Sequence, residues 1–212
     1  KVKQWNKFSR YSGGTLIEKC CHYFDLINLF AQSYPKNIYA SGGRALNFID
    51  FAYNGENSDI DDHAFVVIQY QNGIKANFTL NMFCPDFSEE LILCAEKGRI
   101  ISSEKYSPKN DGYSSARIQI ELGEEGSSRD SMVSYPSEIE KSGHHGATFF
   151  EHIELIKKLN GEPSNSATVI EGLWSVVIAG AAQKSIETGS QIDVDDFLKK
   201  KKLSWTINFK NN

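Results

Sequence analysis

At 212 residues, 40% of them hydrophobic and 24% charged, the chain has enough apolar material for one sizeable folded domain and little for a second. A formal net charge of −4 excludes the broad basic face that nucleic acid or an anionic membrane calls for, and the one basic run, residues 199–202, reads as a solvated helix end. No apolar run reaches the length of a membrane span, and Cys20, Cys21, Cys84 and Cys94 have neither metal-ligand spacing nor a secreted-domain framework, so reduced thiols and a cytoplasmic location are expected.

Residues 1–12 mix Trp5, Phe8 and Tyr11 with Lys3, Lys7 and Arg10 and read as a looped approach to a helix. Gly13-Gly14 makes a turn, Thr15 is the expected N-cap, and residues 16–31 form the helix. Leu16, Cys20, Phe24, Ile27 and Ala31 line its core face. At 3.6 residues per turn, Glu18, His22 and Asp25 share another face, a carboxylate–imidazole–carboxylate row suited to acid–base chemistry on a cleft wall. A solvated surface helix would show the same spacing. A metal site is not expected, because three such groups leave coordination positions open and no further ligand is identifiable.

After a turn at 34–37, residues 38–40 read as a short strand and 41–62 as a long connection. Asp59, Asp61, Asp62 and His63 do not fit a calcium loop and are expected to be a solvated loop entering a strand. The pattern then turns to period two. Strands are predicted over 63–70 and 74–83 around the hairpin signal Gln71-Asn72-Gly73, over 90–95 and 99–103 around Glu96-Lys97-Gly98, and over 117–122. Residues 106–115 and 123–131 are polar and turn-rich. Helical spacing returns over 146–159, ends at Asn160-Gly161-Glu162-Pro163, and recurs over 166–188 and 193–200. The small residues 179–182 suggest close packing against another helix. Strands in the middle with helices at both ends predict an α+β fold with an open, mainly antiparallel sheet covered by helices on one face. His144, beside His145 in a Gly-rich loop before a helix start that favours anions, is a further candidate for substrate contact.

The stretch from Gly13 to Asp25 resembles the signature of the Gfo/Idh/MocA oxidoreductases, the family of glucose–fructose oxidoreductase and inositol dehydrogenase. The resemblance continues through Asp61-Asp62-His63-Ala64-Phe65, Glu96-Lys97-Gly98-Arg99 and Glu171-Gly172-Leu173-Trp174, and so covers nearly the whole chain. It implies the family's C-terminal substrate domain. It makes His22 the catalytic histidine, Glu18 its acidic partner with one more methylene than the usual aspartate, and Asp25 a ligand of a substrate hydroxyl. Lys19, Trp5 and Arg10 are the remaining implied substrate contacts.

The implied cofactor is NAD or NADP, held mainly by an N-terminal nucleotide-binding half that carries Gly-x-Gly-x-x-Gly and Glu-Lys-Pro motifs. Neither motif occurs here. Residues 1–212 are therefore expected to be a single substrate-binding and oligomerisation domain, inactive apart from that half. The implied partners are a sugar or polyol substrate and a second copy of the chain, giving a homodimer or tetramer through the open sheet face, with no nucleic acid, membrane or metal. The alternative is a non-catalytic ligand-binding or assembly module on the same fold, and the row Glu18, His22 and Asp25 is what separates the two.

Overall fold

Alternation along one strand sorts the residues of the first sheet: Ala64, Val66, Ile68 and Tyr70 are buried while Phe65 and Val67 between them are exposed. The computed structural model describes residues 4–84, 86–107, 113–123 and 126–205. The chain divides into two compact units, one built from residues up to Phe83 with those from Ala167 onward, the other from Cys84–Ser166.

The first unit begins with α1 (Ser9–Ser12), α2 (Thr15–Glu18) and α3 (Cys21–Ala31), then β1 (Pro35–Gly43), the small pair β2 (Ala52–Tyr53) and β3 (Glu56–Asn57), β4 (His63–Tyr70) and β5 (Lys75–Asn81). The second unit holds β6 (Phe87–Ala95), β7 (Gly98–Ser107), β8 (Tyr113–Leu122), β9 (Arg129–Val133), α4 (Ser137–Glu140) and α5 (Ala147–Leu159). The chain returns to the first unit with α6 (Val169–Thr188), β10 (Ile192–Asp193) and α7 (Val194–Lys200).

The first unit has the expected arrangement. Its sheet runs β10-β1-β4-β5, antiparallel throughout. Ile38, Val66 and Ile68 point inward against Phe24 of α3 and Trp174, Val177 and Ile178 of α6. The rings of Phe24 and Phe78 meet edge-on at 5.0 Å, and Tyr34 tilts against Trp174 at 4.8 Å. Burying Phe24 and Trp174 is worth roughly 2–3 kcal/mol each before entropy is counted. The small residues Ala179, Ala181 and Ala182 let α6 approach both α3 and β1, so its neighbour is a strand as well as the expected helix. On the outer face Tyr39, Val67 and Asn77 lie in register, as do Ser41, Phe65 and Thr79.

In the second unit β6-β7-β8-β9 form another four-stranded antiparallel sheet. Gly98 opens β7 at φ +151, where an added Cβ would lie 2.1 Å from the Glu121 carbonyl oxygen, so only glycine fits. β7 and β8 run beyond the expected 99–103 and 117–122 into the polar stretch, because a strand ladder is made of backbone groups and needs no apolar side chain. Residues 108–112 of that stretch lie outside the described residues. β9, polar and absent from the sequence prediction, is aligned by Arg117, whose guanidinium binds both carboxylate oxygens of Asp130. Among the described residues, no helix is long and apolar enough to cross a membrane.

Candidate functional site

Gly13 and Gly14 both have positive φ, which turns the chain sharply out of α1. The N-cap of α2 is Gly14 rather than the expected Thr15. Thr15 is buried instead, its hydroxyl donating to the Asp61 carbonyl. The expected helix over 16–31 is two helices. Lys19 and Cys20 form a turn between α2 and α3, and Cys20, with ψ −3, is the fully buried pivot. Burial, chiefly, pushes the Cys20 thiol up to about 12, so it stays protonated and serves as packing.

Glu18 therefore sits on α2, and His22 and Asp25 on α3. Glu18 is half-buried and its carboxylate pairs with the Lys19 ammonium at 2.9 Å. His22 is exposed one turn before the half-buried Asp25. Burial pushes the Asp25 carboxyl up, the negative charge of Glu171 pushes it further, and His22 pulls it down. Glu171 is a group the sequence reading did not single out for the site. It stands in the first turn of α6, where Thr168 N–H donates to its Oε2 at 2.6 Å and its own N–H donates to Thr168 Oγ1 at 3.2 Å. The Thr-x-x-Glu spacing of a capping box was the available signal.

The other candidates scatter. Arg10 is drawn to Glu56 and lies over the Tyr11 ring at 4.5 Å, and Trp5 is exposed. His144 belongs to the second unit, exposed and at φ +47. Two concavities lie among the described residues of the first unit, whose surface they do not exhaust. One of about 740 Å³ runs between α6 and α7 over Leu173, Val177, Gly180 and Phe197; one of about 450 Å³ is lined by Arg10, Gly13, Gly14, Asp59, Asp61 and Gln183 among others. Neither is lined by Glu18, His22 or Asp25. Among the described residues, no group of three or more His, Cys, Asp or Glu side chains is arranged to hold a metal ion.

Asp62 corrects the expectation of a solvated loop. It is 1% exposed and accepts the backbone N–H groups of Ala45 (3.0 Å), Leu46 (2.8 Å) and Asn47 (2.7 Å), with His63 Nδ1 at 2.9 Å. Burial alone would raise its carboxyl. The hydrogen bonds from His63 and the three backbone groups outweigh it and hold the carboxyl down at about 2. Beside it Asp61, half-buried and raised by that burial, accepts from Gln183 Nε2 at 3.1 Å.

The oxidoreductase family, C-terminal alpha/beta domain, matches residues 1–194. The chain is similar in fold to the WlbA dehydrogenase of Bordetella pertussis, solved with NADH and UDP-GlcNAcA, with a TM-score of 0.60 at 15% identity over 91% of this chain and 48% of that one. It is similar in the same way to the aldose–aldose oxidoreductase of Caulobacter crescentus complexed with glycerol, with a TM-score of 0.60 at 14% identity over 91% of this chain and 51% of that one. A curated protein of Bacillus subtilis (strain 168), YteT, is 39% identical over 46 residues, 22% of this chain and 10% of its own. The chain spans about half the length of these solved structures.

Proposed function

The chain belongs to the Gfo/Idh/MocA oxidoreductases through their C-terminal alpha/beta domain, and from that premise we propose that it is the substrate-binding half of an NAD(P)-dependent dehydrogenase acting on a sugar or polyol. The observation that carries this reading is the pairing of an exposed imidazole, His22, with a half-buried carboxyl, Asp25, on a helix whose inner side is locked by Phe24. Groups that move protons are most useful on rigid elements, where their geometry is set before the ligand arrives.

The donor set on α3 fits the substrate side of such a reaction. In the direction of alcohol oxidation His22 takes the hydroxyl proton as the carbonyl forms, and returns it in the direction of reduction. Asp25 holds a neighbouring hydroxyl, and Glu18, neutralised by Lys19, borders the row. A bound nicotinamide supplies the hydride acceptor or donor. The 212 residues contain no Gly-x-Gly-x-x-Gly turn for its phosphates, so binding the dinucleotide is assigned to an N-terminal half and not to this chain. In this reading that half closes over α3 to make the cleft, and the chain alone does not turn over.

The outer sheet face is proposed as a self-association surface. Tyr39, Phe65 and Val67 are 45%, 58% and 44% exposed there, flanked by the uncharged Asn77 and Thr79.

The test is an assay of the polypeptide joined to its nucleotide-binding half, with NAD⁺ and NADP⁺ in turn against a panel of sugars and polyols. Nicotinamide reduction that depends on both the polyol and His22 is expected. Reduction that survives loss of His22 would remove the row from the chemistry.

A further inference from the structure

The two edges of the first sheet are unlike. β10 is two residues long, the usual blunted edge, whereas β5 runs in unbroken register with β4 from Lys75 to Asn81. β5 has no proline, no bulge and a single charged residue, Lys75. Among the described residues, β4 is the one strand it pairs with. The ladder fixes which backbone groups of β5 face away from β4. Met82 N–H donates to the Asp62 carbonyl and Tyr70 N–H to the Ile74 carbonyl, each at 2.9 Å. In an antiparallel pair such bonds recur at every second residue, so Ala76, Phe78 and Leu80 are the residues bonded to β4. Lys75, Asn77 and Thr79 turn their N–H and C=O groups the other way, along the open edge. Burial falls off at the same place. Ala64, Val66 and Ile68 of β4 are 0–1% exposed, yet their partners Leu80, Phe78 and Ala76 are half-buried. The helix layer reaches this last strand, because Tyr23 of α3 stacks on Phe78 at 5.5 Å.

We propose that the β5 edge is a strand-addition site, and that its occupant is an extended segment of the polypeptide lying outside these 212 residues. The proposal rests on the reading that the chain is one half of a longer oxidoreductase; it spans 48% and 51% of the two solved relatives. An open ladder edge is a template for pairing. Main-chain bonds give a strand addition its strength, and pockets for alternate side chains select the segment. Here the added strand would bond to Lys75, Asn77 and Thr79. On its inner side an apolar residue at every second position would cover Phe78 and Leu80 under the α3 layer. A charge at one of those positions would be buried against Phe78 and Tyr23 and is excluded. On its outer side the segment meets Asn77 and Thr79, where uncharged polar residues suit it.

Residue-resolved amide hydrogen exchange, comparing the 212-residue chain with the polypeptide joined to its nucleotide-binding half, tests this. In the 212-residue chain the N–H groups of Lys75, Asn77 and Thr79 are expected to exchange as an open edge, and those of Ala76 and Phe78 slowly. In the joined polypeptide the first three should slow by about a hundredfold. Thr79→Pro removes an outward N–H that β4 does not use, at an edge position where proline is tolerated. It should leave the melting temperature of the 212-residue chain in place and lower that of the joined polypeptide by several degrees. Thr79→Ala, which keeps the N–H, should lower neither. Equal exchange of the three amides in both proteins overturns the inference. Protection already present in the 212-residue chain overturns it as well: if it grows with concentration, a second copy holds the edge, and if it does not, the chain covers the edge from within. Should Thr79→Pro destabilise both proteins equally, the wild-type exchange alone decides. Neither nicotinamide nor sugar enters the measurement, so a joined enzyme that is inactive would sink the dehydrogenase reading and leave this one standing.

Discussion

Ser185 Oγ accepts the backbone N–H of Ala40 at 2.8 Å and donates to the Ser190 carbonyl at 2.7 Å, so a side chain of α6 completes the edge of β1. β10 pairs with β1 only at Asn37 and Ile38, and the strand's next inward N–H would otherwise be buried without a partner. Ser185 is fully buried. Ser185→Ala is expected to cost about 2 kcal/mol, the usual penalty for orphaning a buried donor. Urea unfolding should show it as a lower midpoint with an unchanged slope; an unaltered midpoint would mean that the Ala40 N–H needs no partner there.

Asp62→Asn puts an amide NH₂ where backbone N–H groups converge, donor against donor, and should destabilise the first unit by on the order of 3 kcal/mol. The sign of its pH dependence follows from a depressed carboxyl. The stabilisation is complete above the ordinary aspartate value of 3.8 and is lost as pH falls through about 2. The gap in melting temperature between wild type and Asp62→Asn should therefore be constant from pH 7 to 4.5 and close below pH 3. A gap that stays open at pH 2 would show that charge is not what Asp62 contributes.

Removing His22 (Ala or Asn) should lower kcat of the joined enzyme by roughly 100- to 10,000-fold while leaving dinucleotide affinity close to normal. Cofactor affinity falling along with kcat would point to a structural role instead.

Asp25→Asn should weaken activity and yet raise the melting temperature. Its carboxyl is raised in the folded state, so ionising it at neutral pH works against folding, and an amide is spared that cost. The gain should shrink as pH falls through the raised folded-state value and be gone below the ordinary aspartate value of 3.8. A less stable Asp25→Asn at pH 7 would contradict the raised carboxyl.

Phe65→Lys places a charge at the centre of the outer sheet face without touching the core. Sedimentation velocity should show the wild-type chain as a dimer or tetramer at micromolar concentration and the variant as a monomer with the same thermal stability. A wild type that stays monomeric at high micromolar concentration removes the self-association surface.

The parts of the fold that repeat were legible in the sequence. β4, β5 and α6 follow from period two and period 3.6, because each has one face against apolar neighbours, whereas α5 shows helical spacing although none of its described side chains is buried. The break between α2 and α3 was hidden for the same reason: Leu16, Cys20 and Phe24 are all buried, so helical spacing of the core residues survives the bend. Alternation names a strand's faces but not its partner, and so β6–β9 gave no sign of hydrogen-bonding as a sheet of their own. The role of Asp62 was invisible because what it binds is mainly backbone, which every residue but proline offers alike. His22 and Asp25 were legible as a row, whereas the influence of Glu171 required knowing which helix lies beside α3.

That Asp62 grips main chain has an evolutionary side. At Ala45 and Leu46 it takes only the N–H, and both side chains are left exposed. Any residue except proline can stand at these two positions and still be held. The bend is thus heritable through one aspartate at a strand edge, while the surface it displays is free to diverge. A lineage could redecorate this corner by single substitutions without first re-inventing the loop.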